Sequence, residues 1–328
     1  MFDITDKTDL VSICYCLWHN LGKRHLNSSE ILEAGGNYTE FGAYHWWAEP
    51  ALGYYDGENP EIYRQHLTML AEAGVDFIIC DDTNGSSTFP TAERIEILYK
   101  PAKVLLDTAL AMKKEGKKIP YIVFWAGTQD SDPNPSFCGL DIYERFYKDH
   151  IYDDLFVSWD GKPLLLVTSQ MPEALTEHFT IRKCWGLQQK LGEGEWSFLQ
   201  PPPQNVGMKN GKPEQVSVCT ATQLSYMTAP DAISRNRGKT FYEEWKTAFA
   251  VRPKVVTLTW WNEWIAICFK HEGKYAFVDN YNREYSRDIE PMKGGHGDLY
   301  YRWMAEYIKA YKAHEPIPQG LLEPDDLK

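Results

Sequence analysis

Residues 59–82 read NPEIYRQHLTMLAEAGVDFIICDD, and they hold a complete helix-to-strand unit. Asn59 can cap a helix, Pro60 suits its first position, and Gly74 can end it. Between them Ile62, His66, Leu67, Leu70 and Ala71 recur at helical spacing. Directly afterwards comes a short apolar strand, residues 75–82, that ends in two acids.

The same pattern recurs in both directions. LVSICYCLW (residues 10–18) precedes the unit as a strand, and a helix over residues 92–114, expected to kink at Pro101, follows it. IPYIVFWAG (119–127) is the next strand. FVSWDGKPLLLVTS (156–169) reads as two extended pieces around a tight turn at Asp160-Gly161. HFTIRKCWGL, EQVSVCTA and KVVTLTWW are further strands, with helices expected around residues 142–151, 240–249 and 298–313. Strands alternating with helices predict a parallel sheet in an α/β fold. It could be an open doubly wound sheet or a (β/α)8 TIM barrel. No G-x-G-x-x-G loop follows the first strand, which disfavours a dinucleotide site. Polar and aromatic residues cluster just after the strands: Trp18-His19, Asp81-Asp82, Trp125, Gln170 and Trp261 to Trp264. A barrel brings such positions to one face, where its active site lies. The expectation is one barrel over residues 1–328, with an extended aromatic loop at about 19–57.

The net charge of -12 argues against a nucleic-acid partner, since phosphate binding needs a basic footprint. Seven cysteines without a C-x-x-C pair read as buried, reduced thiols, and no zinc spacing appears. No metal or cofactor is expected. The polar start MFDITDKTDL is not a signal peptide, and no apolar run is long enough to span a membrane. The expectation is a cytoplasmic chain, or a periplasmic or secreted one had a leader been removed. Twelve Trp and 20 Tyr suit either an aromatic core or a groove for sugar rings.

The densest chemistry lies in VVTLTWWNEWIA, residues 255–266. Glu263 follows a strand and stands among Trp260, Trp261 and Trp264. Apolar walls raise a carboxyl pKa, which suits a general acid; the plainer reading is a loop Glu paired with a cation. Asn262 can orient the acid or bond a sugar hydroxyl. Of Asp81 and Asp82, only one can face a barrel mouth, because neighbouring strand residues point oppositely. The segment YHWWAEPALGYYDG (44–57) offers His45, Trp46, Trp47 and Glu49 as a stacking wall or as a satellite apolar cluster. FVDNYNREYSRDIEP (277–291) supplies Asp279, Asp288 and Glu290 as further acids, with Arg283 and Arg287 as possible partners. Glycoside hydrolysis needs two carboxyl groups flanking one bond.

These residues also carry a resemblance. GYYDGENPEIYRQHLTMLAEAGVDFIICDDTNG, DGKPLLLV and WNEW, in that order, resemble blocks of the glycoside hydrolase family 99 and 71 group and of related bacterial glycan-processing proteins. The resemblance implies a (β/α)8 barrel acting on a carbohydrate. The family's Asn-Glu-Trp-His-Glu motif matches at Asn262, Glu263 and Trp264, but Ala266 stands where its second glutamate would be. The family's substrate-assisted mechanism therefore does not simply carry over. The "DIEP" at 288–291 resembles a Leu-Glu-Pro of the bacterial relatives and brings Glu290 forward. The expectation is a glycosidase with Glu263, Glu290 and Asp82 catalytic. His45, Trp46, Trp47, Glu49, Asp81, Trp125, Trp261, Asn262 and Trp264 are expected to bind sugar. A non-catalytic glycan-binding barrel and a metal-dependent hydrolase on decorated glycans are the alternatives.

Overall fold

The computed structural model describes residues 1–22, 27–34, 44–225, 227–228, 232–271, 274–325 and 327. Part of the expected aromatic loop, residues 23–26 and 35–43, lies outside the described residues. Seven parallel strands form the centre: β1 (Leu10–Cys16), β2 (Phe77–Asp82), β3 (Tyr121–Ala126), β4 (Lys162–Val167), β5 (Thr180–Lys183), β6 (Lys212–Cys219) and β7 (Val255–Thr259). They pair in the order β5-β4-β3-β2-β1-β7-β6. The chain is thus α/β with a mostly parallel sheet. Helices α1 (Pro60–Ala73), α2 (Lys100–Lys114), α3 (Lys239–Val251) and α4 (Leu299–Lys312) lie between or after these strands.

The punctuation of α1 is as expected. Asn59 accepts a hydrogen bond from the Glu61 N–H, and Gly74 ends the helix at φ 88°, a conformation that costs glycine little. Asp160 and Gly161 both have positive φ in the turn before β4, the geometry of a type I′ hairpin. Pro101 behaves differently from the expectation. It stands in the first turn of α2, just after a π-turn at Ile95–Tyr99. Its missing N–H falls where the hydrogen-bond ladder is already widened, so the proline is absorbed at a helix start.

Apart from the half-buried edge strand β5, the strands bury both faces over most of their length, which is why they read as continuous apolar runs. Ile78 and Cys80 of β2, Phe124 of β3 and Leu258 of β7 pack against the helices. Phe77 and Ile79 of β2, Val123 and Trp125 of β3 and Val255 of β7 form a second, inner cluster. That inner face is curled: Trp125 near the end of β3 and Trp260 after β7 stack with ring centres 6.2 Å apart, though two strands separate theirs.

No ladder joins β5 to β6 among the described residues, so the pairing does not close a ring of eight strands. A short segment occupies the gap. Cys184 is bridged in parallel to Trp196, and the Gly194 N–H donates to the Met208 carbonyl, 2.7 Å. The buried Gln215 side chain accepts from Ser197 N–H at 3.0 Å and donates to the Ser197 carbonyl at 2.7 Å. One amide side chain thus meets the backbone needs that a strand neighbour meets elsewhere.

A second, antiparallel sheet sits beyond β7. It contains Tyr44–Trp46, Ile265–His271, Lys274–Val278 and Met227–Thr228. Residues 44–46 carry no strand period of their own; they pair with a partner more than 200 residues away. No helix among the described residues is long and apolar enough to cross a membrane.

Candidate functional site

The segment after β7 is irregular and held by borrowed bonds. Trp261 N–H donates to the Cys14 carbonyl, 2.9 Å. The Asn262 side-chain oxygen accepts from Cys16 N–H at 2.8 Å, continuing the β1 ladder with an amide side chain. His19 Nε2 lies 2.8 Å from the Asn262 carbonyl, to which it donates. Burial holds the His19 imidazole down at about 4, so it is the neutral ring that makes this bond. Asn262 is therefore used up in positioning the residue that follows it, Glu263.

Glu263 opens into a cavity of about 470 Å³. Its Oε2 accepts from Asn280 Nδ2 and Arg287 Nη2, each at 2.9 Å. The same Arg287 nitrogen lies 3.6 Å from Asp279 Oδ1. Asp279 also lines the cavity, presented at φ 69° at the end of the strand Lys274–Val278, a conformation Asp tolerates. Arg287 is fully buried and bonds Gln223 Oε1 at 2.6 Å. Two carboxyl groups thus share one guanidinium. Burial raises the Glu263 pKa and Asp279 raises it further, against the pull of Arg287. The Asp279 carboxyl is also held above its usual range by burial, again opposed by Arg287. Such a pair readily retains one proton.

The third acid is Asp81. It lies on the β2 face shared with Phe77 and Ile79, is 3% exposed, and accepts from Thr83 N–H at 2.9 Å. Burial pushes its carboxyl up to about 7, with Asp279 adding to the rise and Thr83 opposing it. Facing the acids is a wall of rings. Trp125 packs on Trp185, Phe198 and Trp260 with ring centres 4.9–6.2 Å apart. Trp185 is 39% exposed at the rim.

Glu263, Asp81 and Trp125 are thus brought together as the strand-end rule expects. The other expected residues lie elsewhere. Asp82 is on the helix side of β2, beside Cys138 and Arg94, and its Oδ1 has no hydrogen-bond partner among the described residues. Glu290 is buried beneath the site, bonded by His66 Nε2 (2.9 Å), Tyr55 OH (2.7 Å) and Trp264 Nε1 (2.6 Å). Trp46, Trp47 and Trp264 form a satellite apolar cluster with Ile265 and Met292. Trp47 Nε1 bonds Asp288 at 2.6 Å. Trp261 and His45 are buried and do not line the cavity. Glu49 pairs with Lys293 at a separate surface groove.

Trp185, Phe198 and Gln223 belong to the site and were not expected there, and Arg287 was expected only as a partner of the later acids. Trp185 had a signal, since it follows a strand just as Trp125 does. The bond of Arg287 to Glu263, and Gln223, had no signal, because only the fold brings residues 223, 263 and 279 around its guanidinium. Among the described residues no three His, Cys, Asp or Glu side chains converge as metal ligands.

Solved structures give the fold its place. Two structures of the GH99 endo-alpha-mannosidase from Bacteroides thetaiotaomicron, one with BIS-TRIS-Propane, each match with TM-score 0.57 at 14% identity. They cover 93% and 94% of this chain and 98% and 99% of theirs. This chain shares their GH99 fold. A structure described as a glycoside hydrolase-like protein matches with TM-score 0.52 at 13% identity, over 94% of this chain and 96% of its own. No family model and no curated protein matches the sequence. At these identities the GH99 likeness is one of architecture.

Proposed function

We propose that the protein is a glycoside hydrolase built on a (β/α)8-type barrel, in which the segment at Gly194–Ser197 takes the place of one strand. The observation that carries this reading is the pair Glu263 and Asp279 on a shared Arg287, opposite a wall of tryptophans. Cleaving a glycosidic C–O bond needs one group to protonate the leaving oxygen and another to support the sugar carbon or activate water. Two carboxyls compensated by one guanidinium suit that division, since one holds a proton while the other stays charged. Asn280 and Arg287 both bond Oε2 of Glu263, and Glu263 lines the cavity. Glu263 acts as the acid/base and Asp279 as its partner, in place of the glutamate that Ala266 lacks.

In this reading Asp81, Trp125, Trp185 and Trp260 bind the sugar. Asn262 positions Glu263. Glu290, Trp46, Trp47, Trp261 and Trp264 support the loop from below, and Asp82 stands behind the strand. The endo-mannosidase activity of the GH99 structures is not transferred, because the second glutamate of that motif is absent here.

The test is turnover on a panel of aryl glycosides and plant, yeast and host glycans. Glu263→Gln and Asp279→Asn should each lower kcat by about 10²-fold or more with an unchanged melting temperature. Undiminished turnover in Glu263→Gln overturns the assignment. Oligosaccharide binding without cleavage over long incubation favours instead a glycan-binding barrel, a reading for which the replacement at Ala266 speaks.

A further inference from the structure

We propose that the sugar bound in this cavity carries a free, positively charged amine, held by the Asp81 carboxylate beside Trp125 and against the exposed ring of Trp185. The proposal rests on the glycosidase reading and adds a substrate class to it.

Glycoside hydrolysis uses two carboxyl groups, and the cavity holds three. Glu263 and Asp279 share Arg287. Among the described residues Asp81 has no ion pair; its hydrogen bonds come from Thr83. Among the described residues lining the cavity there is no Lys, Arg or His. With one proton retained by the Glu263–Asp279 pair, Arg287 balances the charge that remains there, and the ionised Asp81 is left without a counter-charge from the cavity lining. A neutral sugar leaves that charge in place, whereas an ammonium group neutralises it.

The aromatic wall is a second, independent sign. Asp81 and Trp125 are register partners in adjacent parallel strands, so both side chains leave the same face. Trp125 meets Trp185 edge-on, with ring centres 6.0 Å apart. A carboxylate beside indole faces is the chemistry that recognises an ammonium ion. Elsewhere this chain fills such positions itself: Arg182 and Lys254 lie over Trp159 at 4.2 and 5.0 Å, and Arg252 lies over Tyr311 at 4.3 Å. Among the described residues no cation lies over Trp125, Trp185, Phe198 or Trp260. Of these rings Trp185, 39% exposed at the rim, is the one that offers a face to a ligand. An amino sugar joins the two features, an apolar ring face to stack and an amine to pair. N-acetylation would remove the charge and keep the ring.

The experiment measures binding to the intact protein by calorimetry and tryptophan fluorescence. The probes are glucosamine, galactosamine, mannosamine and glucosamine oligomers, each beside its N-acetylated form and a neutral sugar of equal length. At least one amine-bearing probe should bind about tenfold tighter than both counterparts. That preference should shrink as salt rises from about 0.05 to about 0.5 M. Asp81→Asn should abolish the preference, so that the amine-bearing probe binds no tighter than its N-acetylated and neutral counterparts. Equal affinities, no binding by any amine-bearing probe, or a preference that ignores salt in the native protein overturns the proposal. Because the salt series uses the native protein, a misfolded Asp81→Asn variant does not remove the test. Cleavage of neutral glycans without amine preference leaves the glycosidase reading standing and ends this one. Amine-selective binding without any cleavage does the reverse.

Discussion

Asp81 and Asp82 are neighbours in the chain and opposites in role. One residue of strand pleat turns the first to the cavity and the second to the helices. That only one could face the mouth was legible; which one was not, because both faces of β2 are buried and equally apolar. Glu290 makes a similar point. As an acid near a suspected site it reads as catalytic, yet each of its oxygens is already bonded. Tyr15 O–H donates to His66 Nδ1 at 2.7 Å, which leaves His66 Nε2 to donate to Glu290. Tyr55 and Trp264 complete the shell. Glu290→Ala strips a partner from three buried donors at once. It should cost on the order of 3–5 kcal/mol in urea unfolding. Unchanged stability with lost turnover would instead place Glu290 in the chemistry.

At the scale of elements, the strands and the main helices follow from apolar runs and their punctuation. What escaped were the pieces whose hydrogen bonds lie far away in sequence. Residues 44–46 pair with 265–267, and the π-turns at Ile95–Tyr99 and Tyr143–Tyr147 are local answers to packing that no period announces. The segment after β5 belongs to this class. Trp185 N–H donates to the Trp196 carbonyl at 3.2 Å, and this bond sets the ring at the cavity rim. Being 39% exposed, Trp185 contributes more to a ligand than to the core. Trp185→Ala should therefore raise KM or Kd about tenfold, with kcat changed less and the melting temperature nearly unchanged. Steady-state kinetics beside a thermal melt checks this. A large loss of stability with unaltered sugar binding would assign the ring to the core.

For the whole molecule, the open question in the sequence was how the sheet ends. The ladders run through seven parallel strands, and the gap between β5 and β6 is spanned by single bridges and the Gln215 amide. Gln215→Ala leaves the Ser197 N–H and carbonyl unpaired inside the protein. The expected cost is about 2–4 kcal/mol, read from the urea midpoint at unchanged slope. A cost near zero would show that the gap tolerates an unfilled neighbour. The alternation of strands and helices, the strand-end placement of Glu263, Asp81 and Trp125, and the caps of α1 were determined by the sequence alone. They depend on period, propensity and punctuation within a few dozen residues. The partner of Glu263, the ring wall and the way the sheet curls were decided only by the tertiary structure. Arg287 joins Glu263 to Asp279, and Trp125 meets Trp260, across contacts between segments distant in the chain. Burial, charge sharing and stacking act through space, and no local pattern encodes which distant side chain will arrive.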